Sequence, residues 1–441
     1  MKFPGPVEKY GKKFSFPDCP AVGSGRDGIE QVVVIPALAE KNSLFATLAS
    51  LSRNPPRELQ RTLVLCVVNN RGSHLTTDAD RRDNQETLSY LQALVRDMPA
   101  ARTEDGGLVA ALREISHSPL RIAYIDAASP GREMPDKEGG VGAARKIGLD
   151  AALQVFDYDR PGARLLISLD ADTLVEANYL EAIRSFFVRG KTAAVVNYTH
   201  QPPAEARQRL AIGAYELFLR YYVLGLRYAG SPYAFPTIGS TMVCTAEAYA
   251  AIGGMNRREA AEDFYFLNKL AKYGEIGKIK TTTVYPSARP SRRVPFGTGR
   301  KMVRFLEGAE DEFLLYDPRV FLILKSWLDM MKSSPDRTVA EIGTRARKID
   351  PRLFSFLEGQ RFFPAWERIR NNSKGGAALL RHFHFWFDGF QTLKLIHYLT
   401  EQGLPRICMF CALEELLRLM GRQPGEGGLP PALIEAEGRC R

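Results

Sequence analysis

Short apolar runs recur along the first two-thirds of the chain, each followed by a polar turn and an amphipathic stretch. Gln31–Pro36 (QVVVIP), Arg61–Val68 (RTLVLCVV), Arg121–Ile125, Arg164–Leu169 and Lys191–Asn197 read as buried strands. Ser43–Ser52, Gly140–Phe156 and Glu176–Val188 read as helices between or after them. Strands alternating with helices predict an α/β fold: a mostly parallel sheet with helices on both faces. Residues 74–118 are mostly polar, with a helical pattern near Glu86–Arg96, and read as an insertion carried on the sheet.

The pattern changes beyond residue 200. Ala204–Tyr228 reads as one long amphipathic helix, Thr237–Cys244 as a strand, Ala260–Tyr273 as a helix and Lys278–Tyr285 as a strand. From about Met302 the chain is helical in pattern and rich in aromatics, as in Phe383-His384-Phe385-Trp386-Phe387. The expected organisation is an irregular Pro/Gly-rich lead-in over 1–28, an α/β domain over 29–300, a helical appendage over 301–422 and a loose tail over 423–441. No internal repeat is visible.

Composition narrows the classes. The chain has 441 residues and is 45% hydrophobic and 25% charged, as ordinary globular proteins are. No apolar run reaches the ~18 residues of a membrane span. Met1-Lys2-Phe3-Pro4-Gly5-Pro6 carries no apolar leader core, so a cytoplasmic location is expected. Cys66 and Cys244 fall in apolar strand-like runs, which suits a reducing compartment. Cys408 and Cys411 form one C-x-x-C with no second pair at zinc spacing, and read as neighbours on one face of an apolar helix. The six histidines form no ligand cluster.

The net charge of +10 is concentrated. Arg289 to Arg304 holds Arg292, Arg293, Arg300 and Lys301 without an acidic residue. No helix-turn-helix, zinc-finger or RNA-recognition fingerprint accompanies it, so nucleic acid is not the expected partner. A small phosphorylated ligand is favoured, and a peripheral contact with an anionic membrane face is the alternative.

The apolar run Leu165–Leu169 ends in Asp170-Ala171-Asp172. Open α/β sheets bind ligands at that edge. Hard divalent cations, Mg²⁺ or Mn²⁺, are held by one or two carboxylates and bridge them to substrate phosphates. The competing role for the pair is to cap the following helix.

Several features then occur in a fixed order. Pro36-Ala37 ends the first strand with Glu40 and Asn42 close behind, and Asn69-Asn70 ends the second. Gly142-Ala143-Ala144-Arg145-Lys146, Asp170-Ala171-Asp172, Gly239-Ser240, Gly253-Gly254-Met255 and Glu262-Asp263 follow. This order resembles the family 2 glycosyltransferases, enzymes of the GT-A fold that use nucleotide-activated sugars, over roughly residues 30–285. The resemblance implies that a nucleotide-diphosphate sugar donor is held by Pro36, Ala37, Glu40, Asn69, Asp126, Arg145, Lys146 and Asp170. It implies a metal at Asp170 and Asp172, and Asp263 as the base that deprotonates an acceptor hydroxyl, with Glu262 beside it and inversion at the sugar. Most relatives carry Asp where Asn69 or Asn70 stands, which leaves the base open. Arg292, Arg293, Arg300 and Lys301, made mobile by Gly297 and Gly299 between the two pairs, are expected to form a lid that adds positive charge at the diphosphate. The alternatives are a retaining transferase of the same fold and a non-catalytic nucleotide-sugar or protein-binding module. A sugar-phosphate nucleotidyltransferase would need a Gly-rich basic loop after the first strand, and Pro36-Ala37-Leu38-Ala39-Glu40 is not one.

Overall fold

The computed structural model describes residues 3–14, 21–23, 27–70, 76–98, 103–135, 140–256, 261–292, 297–309, 313–333 and 336–422. Arg293, the tail over 423–441, Cys19 and Cys440 lie outside the described residues. The chain divides into two compact units. One comprises residues 1–201, 237–287 and 294–296, the other 202–236, 288–293 and 297–441.

The first unit opens with helix α1 (Gly5–Phe14) and strand β1 (Val22–Gly23). The lead-in is therefore not irregular throughout. Val7 and Tyr10, one helical turn apart, are both buried and give α1 an inner face. Then come β2 (Gln31–Ala37), α2 (Lys41–Ser52), α3 (Pro56–Leu59), β3 (Thr62–Asn69), α4 (Asp78–Arg96), α5 (Gly106–Ser116), β4 (Arg121–Ala127), α6 (Val141–Ala152), β5 (Leu165–Ser168), β6 (Leu174–Val175), α7 (Tyr179–Phe187) and β7 (Ala193–Tyr198). After helix α8 (Ala206–Tyr228), which belongs to the other unit, the chain returns with β8 (Met242–Thr245), α9 (Ala246–Ala251), α10 (Glu262–Tyr273) and β9 (Ile276–Tyr285).

These strands form one sheet in the order β1-β4-β3-β2-β5-β8-β7-β9-β6. β4, β3, β2 and β5 run parallel, and β8 is antiparallel to β5 and β7. The register puts Ala37, Val68 and Asp126 level across three strands, so the C-terminal ends of β2, β3 and β4 share one edge. Every residue of β2 and β3 is buried, as parallel strands covered on both faces require. Within the segment expected as an insertion carried on the sheet, α4 packs on β3 and β4, and α5 on α2. Helix α4 turns Asn84, Thr87, Leu88 and Leu91 inward, while most of its charged residues stay at least partly exposed.

Helix α6 approaches the sheet closely because position 148 has no side chain. A Cβ at Gly148 would collide with Val34 of β2 and Val67 of β3. Gly148→Val should therefore cost about 1–3 kcal/mol through overpacking, read as a lower urea midpoint with unchanged m-value.

The second unit joins α8 to α11 (Thr298–Leu306), β10 (Leu314–Leu315), α12 (Pro318–Ser333), α13 (Val339–Ile349), α14 (Pro351–Gly359), α15 (Phe362–Asn372), α16 (Gly376–Trp386), α17 (Gly389–Glu401), β11 (Ile407–Cys408) and α18 (Met409–Leu419). Trp327 sits at its centre, edge-on to Phe362, Phe383 and Phe387. Cys408 ends β11 and precedes α18, so only Cys411 of the C-x-x-C lies within that helix. Among the described residues no helix is long and apolar enough to cross a membrane.

Candidate active site

The edge where β2, β3, β4 and β5 end gathers most of the residues named from sequence. Pro36 and Ala37 close β2, buried and in register with Val67 and Val68. Glu40 immediately precedes α2, and its carbonyl accepts the N–H of Leu44. Asn69 ends β3 and is buried. Asp126 lies on β4, where one carboxylate oxygen accepts the N–H groups of Ala128 (3.1 Å) and Ser129 (2.9 Å), and Arg132 pairs with the other at 3.5 Å. Its turn-forming role and its place on the edge thus coexist.

Beyond β5, Leu169 continues the ladder by donating to the Val34 carbonyl, and Asp170 follows it. The backbone then turns through a bond from the Thr173 N–H to the Asp170 carbonyl, at 3.1 Å. The side chain of Gln201 donates to the Asp172 carbonyl at 2.9 Å, and Thr47 donates to that of Ala171 at 2.9 Å. The Asp170-Ala171-Asp172 segment is thus fixed from both sides by side chains of other elements.

Arg145 is the centre of the cluster. It is only 3% exposed, and its two terminal nitrogens pair with different carboxylates: one with Asp170, one with Glu262 at the start of α10. Ser240 donates to the other oxygen of Asp170 and exchanges a 2.9 Å bond with Thr173. A Cβ at Gly239 would fall inside the Arg145 guanidinium, so that glycine gives the arginine its space. One planar fork therefore joins the end of β5 to the start of α10. Three carboxylates, Asp170, Glu262 and Asp263, hold the guanidinium proton more tightly than in water, against the burial that opposes its charge.

Asp263 lies beside this pair. Its carboxyl is pushed up to about 7, first by burial and then by the negative charge of Glu262, with Arg145 acting in the opposite direction. Burial raises Glu262 as well, again against Arg145. Ala261, just before the helix, is held at φ 57°, a left-handed conformation that costs a non-glycine residue energy. A carboxylate near 7 at a ligand-binding edge has the properties of a general base at neutral pH.

Lys146 is not brought to this cluster. Its ammonium donates to Asp150 at 2.7 Å and to the Tyr10 hydroxyl of α1 at 2.6 Å, and Tyr249 of α9 donates to Asp150 at 2.6 Å. Neighbours on a helix point about 100° apart, and α6 uses that angle to serve two networks. The basic residues Arg292, Arg300 and Lys301 belong to the helical unit. Arg292 is exposed and paired with Glu307, while Arg300 and Lys301 lie in the first turn of α11. The expected glycine-hinged loop is helical from Thr298 onward, because Met302 and Phe305 turn inward one helical turn apart.

Asn84 joins this edge from α4. It sits among polar residues of α4 yet is fully buried, and it bonds to the ends of β2 and β3. Neither periodicity nor motif marks it.

No family model matches the chain, and no curated protein matches it. Among solved structures, residues 1–349 of S. aureus TarS in complex with UDP-GlcNAc align over 76% of this chain and 91% of that one, at 13% identity and TM-score 0.36. The mannosyltransferase PcManGT from Pyrobaculum calidifontis, in complex with GDP-Man and Mn²⁺, covers 89% and 92% at 14% identity and TM-score 0.35. M. tuberculosis glucosyl-3-phosphoglycerate synthase covers 63% and 80% at 14% identity and TM-score 0.31. Alignments at that level assign no function, and the residues of this chain must do so. The architecture implied by the resemblance, a mostly parallel sheet flanked by helices with further helices after it, is the one observed.

Proposed function

We propose that this chain is a glycosyltransferase that moves a sugar from a nucleotide-diphosphate donor to an acceptor hydroxyl with inversion. The observation that carries the reading is the clasp of Arg145, which joins the sheet-edge carboxylate Asp170 to the helix-start pair Glu262–Asp263. Transfer breaks the bond between the anomeric carbon and the diphosphate oxygen and forms one to the acceptor oxygen. Negative charge appears on the leaving diphosphate while the acceptor loses a proton. Asp263, held near 7, is the group on this edge suited to take that proton. Glu262, neutralised by Arg145, keeps the start of α10 in place beside it.

The donor set fits a hard divalent cation that shares its ligands with the substrate. Among the described residues no group of three or more His, Cys, Asp or Glu is arranged to hold a metal. Asp170 accepts from Arg145 and Ser240, and a carboxylate has about four lone-pair sites, so capacity is left over. Asp170 and Asp172 would supply one or two oxygens, with diphosphate and water completing the set, as Mg²⁺ and Mn²⁺ accept. Such a cation supplies Lewis-acid stabilisation of the leaving diphosphate. The buried thiols Cys66 and Cys244 suit a reducing, cytoplasmic setting.

The test is turnover of nucleotide sugars with Mn²⁺ or Mg²⁺, with the anomer of the product read by NMR. Asp172→Asn is expected to lower turnover at least ~100-fold, the scale of one lost electrostatic stabiliser, while circular dichroism stays native. Full activity of Asp172→Asn in EDTA overturns the metal role, and a retained anomer overturns inversion. No turnover of any nucleotide sugar by the wild-type chain leaves a binding module instead.

A further inference from the structure

We propose that helix α4 sets the geometry of the nucleoside subsite, with Asn84 as its positioning residue. The inference rests on the nucleotide-sugar reading above. Asn84 has no exposed surface, and its amide is used on both sides. Its oxygen accepts the N–H of Ala39, at 2.8 Å, in the turn after β2. Its nitrogen donates to the Asn69 carbonyl at 3.0 Å and to the Asn70 side-chain oxygen at 2.7 Å, at the end of β3. Asn70 passes the chain on, donating through its own amide to the Ala128 carbonyl at 2.6 Å, beyond β4. A single run of hydrogen bonds thus crosses the ends of β2, β3 and β4, at the edge where open α/β sheets take their ligands.

The neighbours of Asn84 extend the same grip. Asp83 accepts the N–H of Lys41 at 3.0 Å, at the first turn of α2, and Glu86 accepts from the Lys41 ammonium. Gln85 donates to the hydroxyl of Ser129, in the turn after β4, at 3.3 Å. Ala39 is held at φ 50°, which an alanine keeps only where its surroundings over-determine it. Only an amide both accepts from one backbone N–H and donates to two oxygens in this space. A carboxylate there would face two acceptors, and an apolar side chain would take this partner from three polar groups, two of them buried.

The experiment is titration of the full chain with UDP, GDP, ADP and CDP, each with Mn²⁺, followed by donor kinetics. Asn84→Leu is expected to weaken the preferred nucleoside diphosphate at least ~10-fold, the scale of buried polar groups left unpaired, and to raise the donor KM equally. kcat should stay within about threefold of wild type, because the acceptor-side carboxylates are untouched. Leu395→Ala in the helical core is the control for a fall in melting temperature alone, and should leave nucleotide affinity unchanged. Asp83→Ala, on the half-exposed side of the same helix, should weaken affinity about threefold and decides the question if Asn84→Leu does not fold. Wild-type affinity in the folded variants, or a loss confined to kcat, overturns the positioning role and leaves the transferase standing. A wild-type chain that binds none of the four nucleotides overturns both.

Discussion

Asp263→Asn is expected to lower kcat by ~10²- to 10⁴-fold, the usual range for a general base, while donor affinity barely changes. The substitution preserves size and the acceptor for the 2.7 Å bond from the Phe264 N–H, but it cannot take a proton. The pH dependence follows from the raised carboxyl. Wild-type activity should rise with pH through about 7, because the base works only when ionised. Stability runs the other way. The unfolded chain ionises Asp263 near 3.9 and the native state near 7, so between those values the native state binds more protons and loses stability as pH rises. The Asn variant is spared that loss, and it should resist urea better than wild type at pH 8 relative to pH 5, while being inactive at both. Calorimetric titration with donor, steady-state kinetics and urea melts at the two pH values check the three expectations together. Loss of donor binding in step with activity would place Asp263 in the nucleotide or metal site and remove the main support for inversion.

The second large effect is expected at Arg145. Arg145→Met leaves Asp170, Glu262 and Asp263 around a site without a cation. Removing one partner from a buried ion pair typically costs about 3–5 kcal/mol, since the charge left behind is neither solvated nor paired. The urea midpoint should fall accordingly at pH 8 and less at pH 6, where the acids escape by holding protons. Activity should drop on the order of 100-fold, and its acid limb should move to higher pH as the counter-charge on Asp263 disappears. Arg145→Lys keeps the charge but not the fork, so it should lie between the two. A Met variant with the wild-type urea midpoint and acid limb would show that the clasp is not structural and that Arg145 does not act on Asp263.

The strands were readable because they are buried on both faces: QVVVIP and RTLVLCVV admit no helical periodicity, and the structure returns them as β2 and β3 with ends shifted by one residue. Asp170-Ala171-Asp172 and Glu262-Asp263 were readable from order along the chain. Their approach to one another was not, because it depends on one arginine whose surroundings are set by residues far apart in sequence. Small neighbours at 142–144 and Gly239 were the only local sign that Arg145 turns inward. The charge at Lys146 is equivalent to that of Arg145 in sequence, and its role differs because the helix turns it toward Asp150 and Tyr10. α1 was hidden by Pro and Gly in the lead-in, and Asn84 by the polar composition of α4. Burial of a polar side chain is a property of tertiary packing, with no counterpart in periodicity.

The interleaving of the two units bears on how the chain is made. It leaves the sheet-containing unit after Gln201, builds α8 and returns at Thr237 to lay down β8 between β5 and β7. On the ribosome, the nascent sheet therefore stays open at β5 until the residues of α8 have already emerged. That helix carries Tyr221 and Leu226, whose shared core includes Phe321 and Leu324 of α12, still unsynthesised at that point. During this interval an apolar stripe and an unpaired strand are exposed together, the combination that attracts chaperones and aggregation. A gene cut after Tyr285 would let β8 close the sheet but leave the apolar stripe of α8 permanently without α12, so the shortest truncation that ends cleanly in sequence is not one that ends cleanly in folding.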